Sequence, residues 1–280
     1  MFLHNETILL CGGKNNYQTC IFTQMGRWKE YNYLNEGRIG AAIVSTSTAT
    51  FIFGGYNSQD TFEYLEKNAS VWKLGKTKIP GGFYSGCAVA TSHNEIWLIG
   101  GDGKFGIPTK DRILSFNVRE ERFENLPIHL KQGRFGHRCA LIPKTRHIII
   151  TGGELYLNYL KSTEIINVET KDVFEGARMN SKRYKHGIGV LDIDGQERIV
   201  VFGGSFFDGE KLHYLKSVEV YNAKTQKWER TSMALSKGKY QFGFLTIKGQ
   251  PQRFTQKVTL DSITDNDQDI SSKPRLNIFQ

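Results

Sequence analysis

No apolar run in the 280-residue chain is long enough to cross a bilayer as a helix. The stretch Met1 to Gly13 contains acidic Glu6 and no lysine or arginine, so it lacks the basic start and removable apolar segment of a secretion leader. Cysteine is scarce. Cys11, Cys20, Cys87 and Cys139 show neither the close pairs of a zinc site nor the dense spacing of a disulfide scaffold. The simplest expectation is buried free thiols in a reducing compartment, the cytoplasm, with the nucleus left open. Serine-nucleophile and zinc-protease motifs are missing. "GGKNNYQT" has neither the glycine spacing nor the lysine–threonine end of a nucleotide-binding loop. No catalytic residue, metal or cofactor is therefore assigned.

What is present is a phrase that returns. "TILLCGG", "TFIFGG", "IWLIGG", "HIIITGG" and "RIVVFGG" are short strand-forming runs that stop at two glycines. The pairs are Gly12/Gly13, Gly54/Gly55, Gly100/Gly101, Gly152/Gly153 and Gly203/Gly204, with first-glycine spacings of 42, 46, 52 and 51 residues. Such periods mark a repeated unit of about four strands. An aromatic follows each pair in phase, at Trp28, Trp72, Phe123, Phe174 and Trp228. Between pair and aromatic lies a second extended phrase, as in "FEYLE", "ILSFNV", "TEIINV" and "SVEVYNA". A mixed small and apolar phrase comes about ten residues after the aromatic, for example "RIGAAIV" and "RFGHRCALI". A composition with 39% hydrophobic residues supports one large core at this length.

These phrases resemble the kelch repeat family, over roughly Thr7 to Ile247. The resemblance implies an all-β propeller of four-stranded antiparallel blades, with strands a to d running outward from the axis. The double glycine would end strand b, and Trp28, Trp72 and Trp228 would belong to strand d. The first unit departs from the family with "TCIFTQ", and two units carry phenylalanine for tryptophan. Counting strands gives five blades, the first completed by Tyr240 to Ile247 beside Thr7 to Cys11, so that pairing of the two ends removes open edges. Six blades is the alternative, with Arg253 to Ile263 starting another unit that has no glycine pair. The domain expected is 1–248, followed by a polar tail at 249–280 that is either flexible or packed as a strap.

The net charge of +9 turns attention to the loops. Antiparallel order puts the b–c and d–a connections on one face. Aligning the starts of strand a places Arg38, Arg134, Arg183 and Lys239 in one column, interrupted by Phe83, with Lys182, Lys185 and Lys237 in neighbouring connections. Two readings stay open: arginines that fix the blades by bonding carbonyls, or a cationic ring that takes carboxylate or phosphate. Tyr56, Phe105, Tyr156, Tyr159, Phe206, Phe207 and Tyr214 lie in or beside the predicted loops, an interface composition when ringed by basic groups. Tyr159 and Tyr214 occupy matching places. His137 and His186 share a position where other units have Ala41, Gly86 and Phe242, which argues for packing rather than a metal pair.

The expected function is non-enzymatic: a monomeric adaptor or scaffold that binds a segment of another protein, acidic or phosphorylated, on that face. Cations spread around a ring, with no recognised motif, argue against nucleic acid. A sugar-modifying enzyme of the isomerase type, using the central pocket, is the alternative. The resemblance implies roles in ubiquitin ligases, actin scaffolds or regulatory complexes. The chain has no room for a BTB, BACK or F-box domain, so a ligase role would need a separate partner.

Overall fold

The computed structural model describes residues 2–4, 7–11, 18–24, 27–30, 32–104, 109–193, 196–222 and 225–239; side chains of 2–10, 21–28 and 192–193 are not described. The described residues form five four-stranded antiparallel sheets with no helix, arranged as a propeller-like ring of blades. The first sheet holds β1 (Phe2–His4), β2 (Thr7–Cys11), β3 (Cys20–Gln24) and β4 (Arg27–Glu30). The second has β5 (Ala42–Ser45), β6 (Ala49–Phe53), β7 (Phe62–Glu66) and β8 (Lys73–Leu74). The third has β9 (Cys87–Ala90), β10 (Glu95–Ile99), β11 (Arg112–Asn117) and β12 (Arg122–His129).

In the fourth, β13 (Arg138–Ile142) and β14 (His147–Thr151) precede a ribbon of β15 (Glu154–Leu155) and β16 (Asn158–Tyr159), and β17 (Thr163–Asn167) and β18 (Val173–Gly176) complete the sheet. The fifth repeats that plan. It runs β19 (Gly187–Ile193), β20 (Gln196–Phe202), a ribbon of β21 (Ser205–Phe207) and β22 (Leu212–Tyr214), then β23 (Ser217–Asn222) and β24 (Lys227–Ala234).

Burial follows the order of strands. The second strands β6, β10 and β14 are buried on both faces, which is why they read as unbroken apolar runs; the outer strands β12 and β24 largely alternate. The core consequently lies between sheets. Phe51, Phe53 and Phe62 meet Ile96, Leu98 and Phe116 across the second and third sheets, while Trp97 and Ile99 meet Ile148 and Ile150 across the third and fourth. Trp72 packs between the first and second sheets, and Trp228 between the fourth and fifth, where its indole N–H donates to Ala177 O at 2.9 Å. Trp28 lies on outer strand β4.

The glycine pairs sit where one unit meets the next. Gly54, Gly100, Gly152 and Gly203 have φ between +56° and +64°, and a Cβ on Gly54 or Gly152 would lie 1.8 or 2.3 Å from the carbonyl oxygen of Phe83 or Arg183 in the following unit. The second glycine of each pair donates to that same following carbonyl: Gly55 to Phe83, Gly101 to Arg134, Gly153 to Arg183 and Gly204 to Lys239, at 2.7–2.9 Å. Around the axis a second chain of bonds runs from Ser85 N–H to Gly40 O, Gly136 N–H to Ser85 O and Lys185 N–H to Gly136 O. Gly12 and Gly13 lie outside the described residues.

Two expectations need correction or restriction. All four cysteines are bonded, as Cys11–Cys20 and Cys87–Cys139, so free thiols are not what the structure holds. Cys11 and Cys20 face each other on neighbouring strands, and Cys87 and Cys139 enter the same core from the inner strands of adjacent sheets. The edge of Thr7–Cys11 expected to receive Tyr240 to Ile247 is instead paired with Phe2–His4, in the register Phe2 to Leu9. Tyr240 to Ile247, Arg253 to Ile263 and the tail 249–280 lie outside the described residues.

Candidate interaction face and axial mouth

The d–a and b–c connections share a face because they bond to each other. N–H groups of Ile79, Leu130, Met179 and Leu235 donate to the carbonyls of Asp60, Asp111, Lys161 and Lys216 at 2.8 Å each. Ile79, Leu130 and Met179 are also buried, so each connection is pinned by an apolar anchor four residues before the arginine phase.

Arg38, Arg134 and Arg183 do keep one phase, but they point into the protein. Arg134 and Arg183 are 0% exposed and Arg38 is 2% exposed. Arg183 donates to Glu219 Oε1 (2.8 Å), Gly203 O (2.6 Å), Ser217 O (3.0 Å) and Ser217 Oγ (2.8 Å). Arg134 does the same with Glu164, Gly152 and Ser162, and Arg38 with Glu63, Gly54 and Thr61. The other glutamate oxygen accepts from the connection: Asn35 and Asn180 each use backbone N–H and side-chain amide, and Lys131 uses its N–H. Asn35 and Asn180 then reach Trp72 O and Trp228 O, so the network ties all four strands of a sheet together. A group so enclosed and so fully bonded offers no free face to a ligand. The carbonyl-fixing reading is the one that holds for these three arginines, and the ring of ligand-facing arginines does not form.

Burial dominates the electrostatics of these groups. It lowers the pKa of each arginine, against the raising effect of its glutamate. Burial alone would raise the Glu219 carboxyl, yet the bonds and charge of Arg183, with the Asn180 donors, hold it below its ordinary value. His137 and His186 are fully enclosed: burial, then neighbouring arginines, bring His137 down to about 3 and His186 well below 6.5. Their Nε2 atoms reach different groups, Ile99 O at 3.1 Å and Thr151 Oγ1 at 2.7 Å, as packing residues do.

Two other cations stand at the start of the inner strands. Lys185 lies half-buried with φ +49°, at the left-handed place filled by Gly40, Ser85 and Gly136 in other units, and its Nζ sits 5.1 Å from the centre of the Tyr184 ring. Arg138, which the sequence reading passed over, begins β13 on the side facing Tyr184. It is half-buried and donates to His137 O at 3.1 Å, and no carboxylate pairs with it among the described residues. Burial and the Arg138 charge both lower the Lys185 pKa, with Glu154 opposing. Tyr184 is packed edge-on by Phe135 and Tyr159, and burial pushes its phenol far up; Tyr84, half-buried beside Asp102, is pushed up to about 12.

The remaining expected residues scatter over the same face. Lys182 is exposed. Lys239 is half-buried, and its carbonyl serves Gly204. Tyr56 is exposed with its ring against Tyr84 at 5.7 Å, and Phe207 and Tyr214 are exposed on the ribbon of the fifth sheet. Tyr159 and Tyr214 correspond, since each pairs with the residue that follows a second glycine, Glu154 or Ser205. Phe105 lies outside the described residues.

Sheets radiating from a common axis, pinned by glycine pairs and buried arginine–glutamate networks, define a propeller-type repeat protein. Residues 195–232 match the kelch motif family. A RING finger domain and kelch repeat-containing protein of Dictyostelium discoideum is 24% identical over 189 residues, 68% of this chain and 18% of that relative's length.

Proposed function

We propose that the chain is a non-enzymatic interaction module that grips a segment of a partner protein on its b–c and d–a loop face, with an acidic or phosphorylated group of that segment held at the axial mouth. The observation that carries the reading is Arg138: a half-buried guanidinium beside Lys185, opposite no carboxylate among the described residues. Five fork-like donors with little to bond suit a carboxylate or phosphate, and the aromatics around them supply dry contacts. The d–a connections add Lys131, Lys182 and Lys237, with Glu36 the one acid among their described residues. Affinity capture from the protein's own cells, repeated with Arg138→Glu and Lys185→Gly, tests the reading. Capture should fall and lose its salt dependence while melting is unchanged. Unchanged capture would remove the axial assignment, and turnover of a small sugar in place of protein capture would replace the interaction reading with the enzymatic one.

A further inference from the structure

The ribbon of the fourth sheet turns on two residues that a tight turn does not favour. Leu155 pairs with Asn158, so the loop is Tyr156–Leu157, and both residues are left-handed, with φ +50° and +63°. Two consecutive positive φ angles are what a two-residue hairpin needs, and asparagine–glycine is the sequence that meets it at least torsional cost. A tyrosine followed by a leucine in that conformation is an outlier.

Packing does not explain it, because Tyr156 is 81% and Leu157 84% exposed. The tyrosine ring has Lys110 Nζ at 5.4 Å, and that lysine is already paired with Asp102 at 3.2 Å. Leu157 gives its backbone N–H to Glu154 and leaves its side chain in solvent. The corresponding ribbon of the fifth sheet turns instead by a four-residue loop, Phe207 pairing with Leu212, and uses ordinary turn residues. There Asp208 accepts from the N–H groups of Glu210 and Lys211, and Gly209 takes φ +109°.

We infer that the Tyr156–Leu157 tip is the anchor that inserts into an apolar pocket with an acidic rim on a partner protein. This rests on the interaction reading above and names its hot spot. Strain kept at an exposed site without packing return is the mark of a functional residue, and a protruding tyrosine beside an aliphatic side chain is the composition of an interface anchor. The acidic rim follows from charge. Lys110 lies under the tip, Lys161 is exposed two residues past Tyr159, and Lys182 and Lys185 flank Arg183, whose N–H bonds Leu160 O at the ribbon's base. A planar anionic lipid surface fits less well, since the neighbouring tip carries Asp208 and Glu210, which it would repel.

The test replaces the tip with the turn's own preference, Tyr156→Asn with Leu157→Gly, and separately places a photo-cross-linking side chain at 156, 214 or 56. Proteins cross-linked in extract from the protein's own cells are identified, purified and titrated against the wild type and the tip variant. The expected result is cross-linking at 156, affinity roughly thirtyfold weaker in the variant, and a melting temperature equal or higher. Cross-linking at 214 or 56 to a partner that binds the variant with full strength overturns the tip and leaves the interaction face standing. Cross-linking at none of the three positions overturns both. A lower melting temperature in the variant would show that the tip packs after all, and wild-type binding to phosphatidylserine vesicles, lost in the variant, would give the tip to lipid. Either result overturns the inference.

Discussion

In the second, fourth and fifth sheets an arginine entering the inner strand meets a glutamate on the third strand, with a hydroxyl residue, Thr61, Ser162 or Ser217, just before it. In the third sheet those three places hold Phe83, Leu114 and Arg112. Both members of the ion pair are replaced together by buried apolar residues that join one core cluster. The guanidinium has moved to the third-strand position, where it bonds Pro80 O at 2.6 Å and Gly82 O at 2.9 Å. The backbone does not notice: Gly100 N–H donates to the carbonyl of residue 112 as Gly54 N–H does to that of Thr61. What the fold requires at this place is a filled volume and bonded carbonyls. Opposite charge is one solution, and a phenylalanine–leucine contact with a relocated arginine is another.

Removing one partner separates the two solutions most strongly. Glu164→Leu leaves Arg134 buried without its counter-charge and should cost about 3–5 kcal/mol by denaturant unfolding. Adding Arg134→Phe removes the uncompensated charge and should restore more than half of the loss, and Ser162→Arg as a third change copies the third sheet in full. If the double variant is no more stable than the single one, the two solutions are not interchangeable and the equivalence of the sheets fails.

The same sheets also mark how far the sequence could be read. The repeat, its phase and the all-β architecture were legible because left-handed glycines and doubly buried strands leave a sequence trace. Depth was not: spacing aligned Arg38, Arg134 and Arg183, but it could not say that they turn inward. A signal was available, since the glutamate of "FEYLE", "TEIINV" and "SVEVYNA" is absent from "ILSFNV", the one complete unit that also lacks the arginine. The Cys87–Cys139 bond was missed because its cysteines are adjacent only across a blade interface. Arg138 stands alone at a place held elsewhere by Ala42, Cys87 and Gly187, and Tyr156–Leu157 carries no glycine or asparagine to announce its turn.

Glycine and disulfide variants ask whether the third sheet shares its joints with the others even though its ion pair is gone. Gly152→Val forces a branched side chain into a left-handed site against Arg183 O and should cost about 3 kcal/mol. Gly100→Val, whose Cβ would lie 2.9 Å from Arg134 O, should cost a similar amount if the joint is independent of the pair. Equal stability to wild type in either variant would make these glycines ordinary strand ends. Replacing Cys87 and Cys139 together by alanine opens a link between residues 52 apart, with an expected loss of about 2–4 kcal/mol. A melt of the wild type that is unchanged by reductant would show that the link adds no stability.

Acid sharpens the contrast most gently, because the third sheet has neither the pair nor a histidine at the place of His137 and His186, where it carries Gly86. Both histidines are held neutral by burial, His137 down to about 3 and His186 well below 6.5. Above the unfolded pKa of ~6.5 neither state binds a proton there, and no stability depends on pH. As pH falls below that value the unfolded chain takes up protons that the folded chain refuses, so stability drops by about 1.4 kcal/mol per pH unit for each histidine. Glu219 acts in a lower window. Its depressed pKa contributes stability above the unfolded carboxylate value of about 4.3, and that contribution is lost as pH falls through the folded value. Denaturant unfolding between pH 7 and 5 should therefore show a slope near two protons, halved by His186→Ala. Amide protection factors over the same range, with the slower intrinsic exchange at lower pH divided out, should fall in β13 and β19 before β9, since the inner strand of the third sheet carries no such group. A flat stability profile would mean that both histidines take up protons without cost in the folded protein, and an equal fall of protection in β9 would mean that the loss is not local to their strands.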